Sequence, residues 1–560
     1  MTDVMSGNSV LDLADRFWQW FLSRQPIYAT VLGDDRYDDR LPDPSARARE
    51  EEIAAIKGFL EDAKSVDRNG LDAEDAITLS MLEVVGTISL RQHEHNPHHF
   101  DAIDQLAGPQ SLPSDLARFQ RVDSPERIDR LIRRLEQYPQ YLAEHRANML
   151  EGIAAGRTAA APVIERVIEQ TRRAVNTPVD EAPLLAAHPE LDDESRARIR
   201  DAVEQWVAPA LGDHLAALEG YAKHARSGEG LWALPDGQEL YKTMILASTT
   251  LEETPESLHN YGLEQLEAIR EESVGIAREL GFGDDIAAMR RALESEKSNY
   301  ATSSAEIVER ARRQIERADA AAPKWFGRLP KAACEVRAVE PYSEAEAPPA
   351  FYFPPAPDGS RGGIYFVNTY QPQNRPLYRL ASTTFHEATP GHHFQITIES
   401  ELEDMPDFRR FGARLTGAAY PEGWGLYSER LADEMGLFES AWERLGMLDS
   451  VGWRAARLVV DTGLHAFRWT RQQSVDLLLT VGLTGLEAET ETDRYIAWPG
   501  QALSYMTGMR EIVALRRSLE QRDGDAFDLK GFHDELLGHG TMPLATLRRE
   551  LPGWVKPKSS

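Results

Sequence analysis

The chain has 560 residues, with 62 Lys and Arg against 91 Asp and Glu, and its net charge of −29 is spread along the sequence rather than gathered in a tail. Such a surface repels phosphate backbones, which sets nucleic acid aside as a partner. The single cysteine, Cys334, excludes an intramolecular disulfide framework and a Cys-rich metal site, while 42% apolar residues with 11 Trp supply a large core.

The N-terminal stretch M-T-D-V-M-S-G-N-S-V carries neither a basic n-region nor a long apolar h-region. No run reaches the ~18–20 apolar residues of a membrane span. A cytoplasmic protein with no membrane partner is expected. Residues 9–30 predict an amphipathic helix with an aromatic face, followed by the acidic turn G-D-D-R-Y-D-D-R-L-P-D-P-S and helices of mixed charge to about 95. The stretch H-E-H-N-P-H-H (93–99) is rich in histidine, but its Asn-Pro marks a turn and no acidic residue sits at motif spacing, so a solvated loop is expected.

From Ser124 to about Asn176 apolar residues recur at three- and four-residue spacing, which predicts helix. Residues 177–235 hold several prolines and are the best candidate for a boundary. Thr254-Pro255 opens another helix, with Thr as N-cap and Pro in the first helical position, and this helix closes near Gly281. Ser303-x-x-Glu306 reads as a capping box.

The texture changes at about residue 332. A-C-E-V-R-A-V-E-P, A-F-Y-F-P-P and G-G-I-Y-F-V-N-T-Y are short, β-branched or aromatic, and bounded by Pro and Gly, which predicts two or three strands. The last of these, 362–370, is expected to offer its edge to an extended substrate or to be a structural hairpin, with Asn368 and Tyr370 as candidate substrate-binding residues.

T-F-H-E-A-T-P-G-H-H-F-Q (384–395) then places His386, Glu387, His392 and His393 within eight residues. The helical zinc motif H-E-x-x-H sets its histidines four apart on one face, but the residue four after His386 is Pro390. His393 returns to the azimuth of His386 but lies ~10 Å further along an undistorted helix, too far for one ion. Pro390-Gly391 is where a helix breaks or bulges, and the break can draw His392 or His393 back. The stretch reads as a zinc motif with two residues inserted before its second histidine. The alternative is a polar helix end with histidines capping carbonyls.

In Y-P-E-G-W-G-L-Y-S-E-R-L-A-D-E-M-G (420–436), Glu422 lies thirty residues after His392 and is favoured as the third ligand. Glu429, one heptad on, is the rival ligand or a support for one. R-L-V-V-D-T-G-L-H sets Asp461 and His465 four apart, able to pair, and R-Y-I-A-W-P-G-Q-A-L-S-Y-M-T-G sets Gln501 and Tyr505 at the same spacing. A phenol and an imidazole suit a developing oxyanion, although either pair could be an interior network. Arg494 is the candidate cation for a substrate's terminal carboxylate.

Together, H-E-A-T-P-G-H-H, P-E-G-W-G-L-Y-S-E, R-L-V-V-D-T-G-L-H and R-Y-I-A-W-P-G-Q-A-L-S-Y resemble the bacterial family called domain of unknown function 885. P-I-Y-A-T-V-L-G-D-D-R-Y-D-D-R-L-P and F-H-D-E-L-L-G-H-G-T-M-P-L extend the resemblance over nearly the whole chain. The resemblance implies a mostly helical zincin-like protein, similar in outline to the thimet oligopeptidase and thermostable carboxypeptidase group, with its metal deep in a channel. Many members of the family look like lipoproteins, whereas this N-terminus lacks the signal.

The expected fold is mainly α, a large helical body with a small sheet at about 332–370 and a deep cleft between halves 1–235 and 236–560. The expected function is a zinc-dependent hydrolase of amide bonds, most readily a metallopeptidase for short peptides. Zn2+ would be held by His386, His392 and Glu422, with Glu387 as general base and Tyr505 and His465 as oxyanion donors. The alternatives are an inactive zincin-like binding protein and an amidohydrolase of a small non-peptide amide. The oligomeric state is left open.

Overall fold

Helix starts are fixed by local side-chain chemistry. In the computed structural model, which describes residues 8–340, 344, 347–355, 361–402 and 405–558, Ser45, Asp72, Ser124, Thr254 and Ser303 each accept a hydrogen bond from a backbone N–H three residues on. Each cap satisfies a donor that the first helical turn cannot. Pro255 occupies the first position of the helix Pro255–Glu279, and Ser303 opens Ser304–Ala321. In the second case the Glu306 carboxylate reaches back to the Thr302 N–H, one residue before the cap. Residues 1–7, read above for a leader, lie outside the described set.

The structure is about 71% helical, against three short strands among the described residues, so the protein is mainly α as expected. The chain forms two compact units. The first comprises Met1–Met244, Gly463–Gln473 and Glu489–Pro499; the second comprises Ile245–Thr462, Ser474–Ala488 and Gly500–Ser560.

In the first unit, the amphipathic helix predicted at 9–30 is broken by Pro26 into Asn8–Arg24 and Pro26–Val31. The helix Pro125–Glu136 turns Ile128, Leu131 and Leu135 inward against Leu142, Leu184, Ile199 and Leu211. Asn96 adopts the left-handed conformation with φ of 47° and starts the single turn Pro97–His99. The turn is where Asn-Pro placed it, but the loop is not solvated: His98 and His99 are buried.

In the second unit, β1 (Cys334–Ala338), β2 (Ala350–Phe353) and β3 (Gly363–Val367) form a mixed sheet in the order β1-β3-β2. β3 pairs parallel with β1 and antiparallel with β2. It is therefore the central strand, and the expectation that it offers an edge to substrate fails because both its edges are taken. Ile364, Tyr365 and Val367 of β3 are buried, and Tyr365 and Val367 pack with Ile307, Ile315 and Leu377. On the next layer, Phe385 is fully buried against Ala318, Ala381, Ala432 and Leu437. Its removal from water is worth ~1.5–3 kcal/mol and seats the helix Leu377–Glu387 that carries His386.

Candidate metal centre

The H-E-x-x-P-G-H-H stretch is two helices with a turn between them. Leu377–Glu387 ends one residue after His386, and His392–Ser400 begins at His392. At Ala388 (ψ −118°) and Gly391 (ψ −128°) the backbone departs from helix. Gly391 is required there because a Cβ would fall on the carbonyl oxygen of His386. A third helix, Ala419–Glu434, clamps the turn. Its Trp424 Nε1 donates to Pro390 O at 2.9 Å and Gly391 O at 3.2 Å, and its Ser428 Oγ donates to Phe385 O at 3.1 Å. Gly423 lets this helix lie against Gly508 of the helix Ser504–Asp523, backbone to backbone.

The break sets His392, not His393, beside His386. The two rings lie 4.7 Å apart at 87°. Nε2 of His386 and Nε2 of His392 are each 3.4 Å from Glu422 Oε2, and the three ligand atoms lie within 4.8 Å of one another. A tetrahedral zinc site with bonds of about 2.0–2.1 Å has ligand-to-ligand spacings of about 3.3–3.4 Å. Gly425 makes room for this arrangement, since a Cβ there would stand 2.8 Å from the His386 ring.

Glu429 takes a different place from its rival Glu422. It accepts a hydrogen bond from His386 Nδ1 at 2.8 Å, on the side of the ring away from Nε2, and a second from Ser382 Oγ. Burial opposes charge on His386, but Glu422, Glu429 and Glu387 outweigh it and push the imidazole pKa up to about 10. Burial likewise opposes ionisation of Glu422, yet His386 and His392 hold its carboxyl well below the usual range. Two imidazoles among three carboxylates make a donor set with an excess of negative charge, which suits a cation.

His393 points elsewhere. Its Nδ1 lies 2.9 Å from Tyr352 OH on β2 and 3.2 Å from Thr397 Oγ1, and burial pushes its pKa down to about 4. Glu387 is half-buried at the end of its helix, and its charge reaches both His386 and the Tyr365 phenol. Tyr505, buried one turn ahead of Gly508, has the Arg457 guanidinium 4.4 Å from its ring centre and that of Arg454 at 5.8 Å.

Several predicted site residues have other roles. His465 is not an oxyanion donor. Its Nδ1 accepts from Leu231 N at 3.2 Å and its Nε2 donates to Tyr495 O at 2.9 Å, so both nitrogens are committed to backbone within the first unit. Burial pushes its pKa down to about 3. Asp461 does not orient that ring; it accepts from Gly500 N at 3.1 Å. Gln501 starts the short turn Gln501–Leu503 and the helix begins only at Ser504, so Gln501 and Tyr505 do not share a helical face. Asn368 is buried, donating to the carbonyls of Glu344 and Ala347 and accepting from Tyr370 N, which makes it a loop brace rather than a substrate contact. Tyr370 is exposed. Arg494 lies in the first unit, 3.3 Å from Glu491. A surface concavity of about 510 Å³ between Gly327–Arg328 and Asp534–His539 shares no residue with the cluster.

Sequence reasoning missed Ser382, Arg454 and Arg457. The one available signal was W-R-A-A-R (453–457), two arginines three apart beside a tryptophan, where Arg454 helps hold the Glu429 carboxyl down.

The fold and the site together define a mainly helical protein with a small mixed sheet and a His–His–Glu cluster at a broken helix. The chain belongs to the family described as "Bacterial protein of unknown function (DUF885)", which it matches over residues 26–551. Among solved structures it is similar to "the putative lipoprotein from Colwellia psychrerythraea", with a TM-score of 0.91 and 26% identity over 98% of this chain and 99% of that one. It is also similar in fold to "a putative lipoprotein of unknown function from Shewanella oneidensis", with a TM-score of 0.78 and 20% identity over 98% and 99% of the two chains. No curated protein matches the chain. The cytoplasmic location expected from the N-terminal residues is overturned by these neighbours, both described as "putative lipoprotein". Among the described residues, no helix is long and apolar enough to cross a membrane.

Proposed function

We propose that the protein is a zinc-dependent hydrolase of amide bonds, zincin-like in its catalytic frame, with short peptides as its substrates. The observation that carries this reading is the equal 3.4 Å spacing from Glu422 Oε2 to the two Nε2 atoms, the separation that neighbouring ligands of one tetrahedral ion require. His386, His392 and Glu422 would hold the ion, which when bound polarises a scissile carbonyl and lowers the pKa of water.

The remaining work falls to the chain's own groups. Glu429 and Ser382 fix the His386 ring so that Nε2 faces Glu422. Glu387, adjacent to His386, takes the proton of the attacking water and passes it to the leaving amine. The Tyr505 hydroxyl would donate to the carbonyl oxygen as charge develops, with the Arg457 guanidinium 4.4 Å from its ring centre. The net charge of −29 gives no help in recruiting anionic partners.

The test is cleavage of a mixed peptide library by the full chain, with and without a chelator. Cleavage that stops on chelation and returns with added Zn2+ is the expected result. Chelator-insensitive cleavage, or none by zinc-loaded protein, contradicts the reading.

A further inference from the structure

The first unit contains a second cluster of the same composition. His98 and His99 stand side by side on the turn Pro97–His99, with ring centres 4.4 Å apart. From the helix Tyr138–Ala154, Glu151 brings Oε1 to 3.4 Å from Nε2 of each ring. This is again the ligand spacing of a tetrahedral site. Gly152 permits the approach, because a Cβ there would lie 3.0 Å from the His99 Cβ.

The rings are 6% and 2% exposed, yet His98 Nε2 and both nitrogens of His99 are buried with no hydrogen-bond partner in the protein. A buried polar nitrogen without a partner is costly, and the two Nε2 atoms, which both face Glu151 Oε1, call for a ligand.

The surrounding charges decide which ion fits. Arg49 lies 3.8 Å from the other Glu151 oxygen and also holds Pro44 O and Asn148, while Arg157 is paired with Asp236. A guanidinium 3.8 Å from the one carboxylate of the cluster disfavours a hard ion such as Mg2+ or Ca2+, which binds through oxygen charge. Two imidazole nitrogens favour a borderline-soft ion. We infer that His98, His99 and Glu151 form a second site, for a zinc-class ion, which pins the 97–99 turn to the 138–154 helix and is separate from the cluster at His386.

Zinc binding to the full chain, measured by equilibrium dialysis and by the rise in melting temperature on adding Zn2+, tests this inference. Wild type is expected to bind two ions. The His386→Ala, His392→Ala double variant should keep one, with its melting temperature still raised by zinc. Glu151→Gln, at a half-exposed position that tolerates an amide, should weaken one of the two wild-type sites by at least about tenfold. His98→Asn with His99→Asn should abolish that site. If wild type binds one ion that is lost in His386→Ala, the second site is overturned while the first stands. If the only ion is lost in Glu151→Gln, the second stands and the reading of the first fails. Unchanged affinities in Glu151→Gln and in the His98→Asn, His99→Asn variant would also overturn the inference.

Discussion

His386 Nδ1 donates to Glu429 Oε1 at 2.8 Å, while Ser382 donates to the other oxygen of the same fully buried carboxylate. This fixes the tilt of the ring, leaving Nε2 to face Glu422. Glu429→Gln keeps the shape and an acceptor but removes the charge. Zinc affinity at this centre is expected to fall about 10–100-fold, by analogy with other supports of metal-bound histidine. Competition against a chromogenic chelator measures it, and an unchanged affinity would show that Glu429 does not tune the ring.

Gly425 offers a sharper steric test. Alanine in a helix interior is favoured over glycine by about 1 kcal/mol, so substitution alone would stabilise the helix Ala419–Glu434. The new Cβ would stand 2.8 Å from Cε1 and Nε2 of His386, and the ring would have to move. Gly425→Ala is expected to keep its fold by circular dichroism and to lose zinc from this centre. Full retention of that zinc would mean that the ring has slack the packing denies.

Much of this was legible in the sequence, and the reason lies in sequence separation. Thr254-Pro255 and Ser303-x-x-Glu306 are local chemistry, and both helices start where that chemistry put them. Pro390-Gly391 also acts locally, and the break it implied is what sets His392 near His386. By contrast, His465 reaches Leu231 across more than two hundred residues, and Glu151 meets His98 and His99 from a helix that begins at Tyr138. No spacing rule connects such positions, so sequence alone does not distinguish an interior histidine from an oxyanion donor, or a buried histidine pair from a solvated loop. The centrality of β3 was hidden for the same reason: strand order depends on pairing, whereas alternation reports only burial.

Glu387 separates binding from chemistry. Glu387→Gln leaves the three cluster residues in place but cannot accept a proton. Peptide cleavage should fall by at least about 10²-fold with zinc content unchanged. Parallel metal analysis and turnover on one preparation give the comparison, and retained turnover would remove Glu387 as the base.

Glu399 governs a pH dependence of stability. It is buried, accepting from Thr541 N, Thr541 Oγ1 and Gln395 Nε2, with burial pushing its pKa up to about 7 despite those bonds and the charge of Arg409. An ordinary glutamate titrates near about 4.3, so between these values the native state holds a proton that the unfolded state has released. This group's contribution to stability therefore falls as pH rises from about 4.3 to 7 and is level above that. Glu399→Gln should gain on wild type by up to about 3 kcal/mol on going from pH 4.3 to pH 8. Denaturant melts at the two values measure the difference, and parallel pH profiles for the two proteins would refute it.

The proposed function requires one ion held among His386, His392 and Glu422. Anomalous diffraction at the zinc edge, on crystals of the zinc-loaded full chain, addresses it directly. A peak is expected within bonding distance of both Nε2 atoms and the Glu422 carboxylate, absent in His392→Ala. A zinc-loaded crystal with no peak at that position would contradict it.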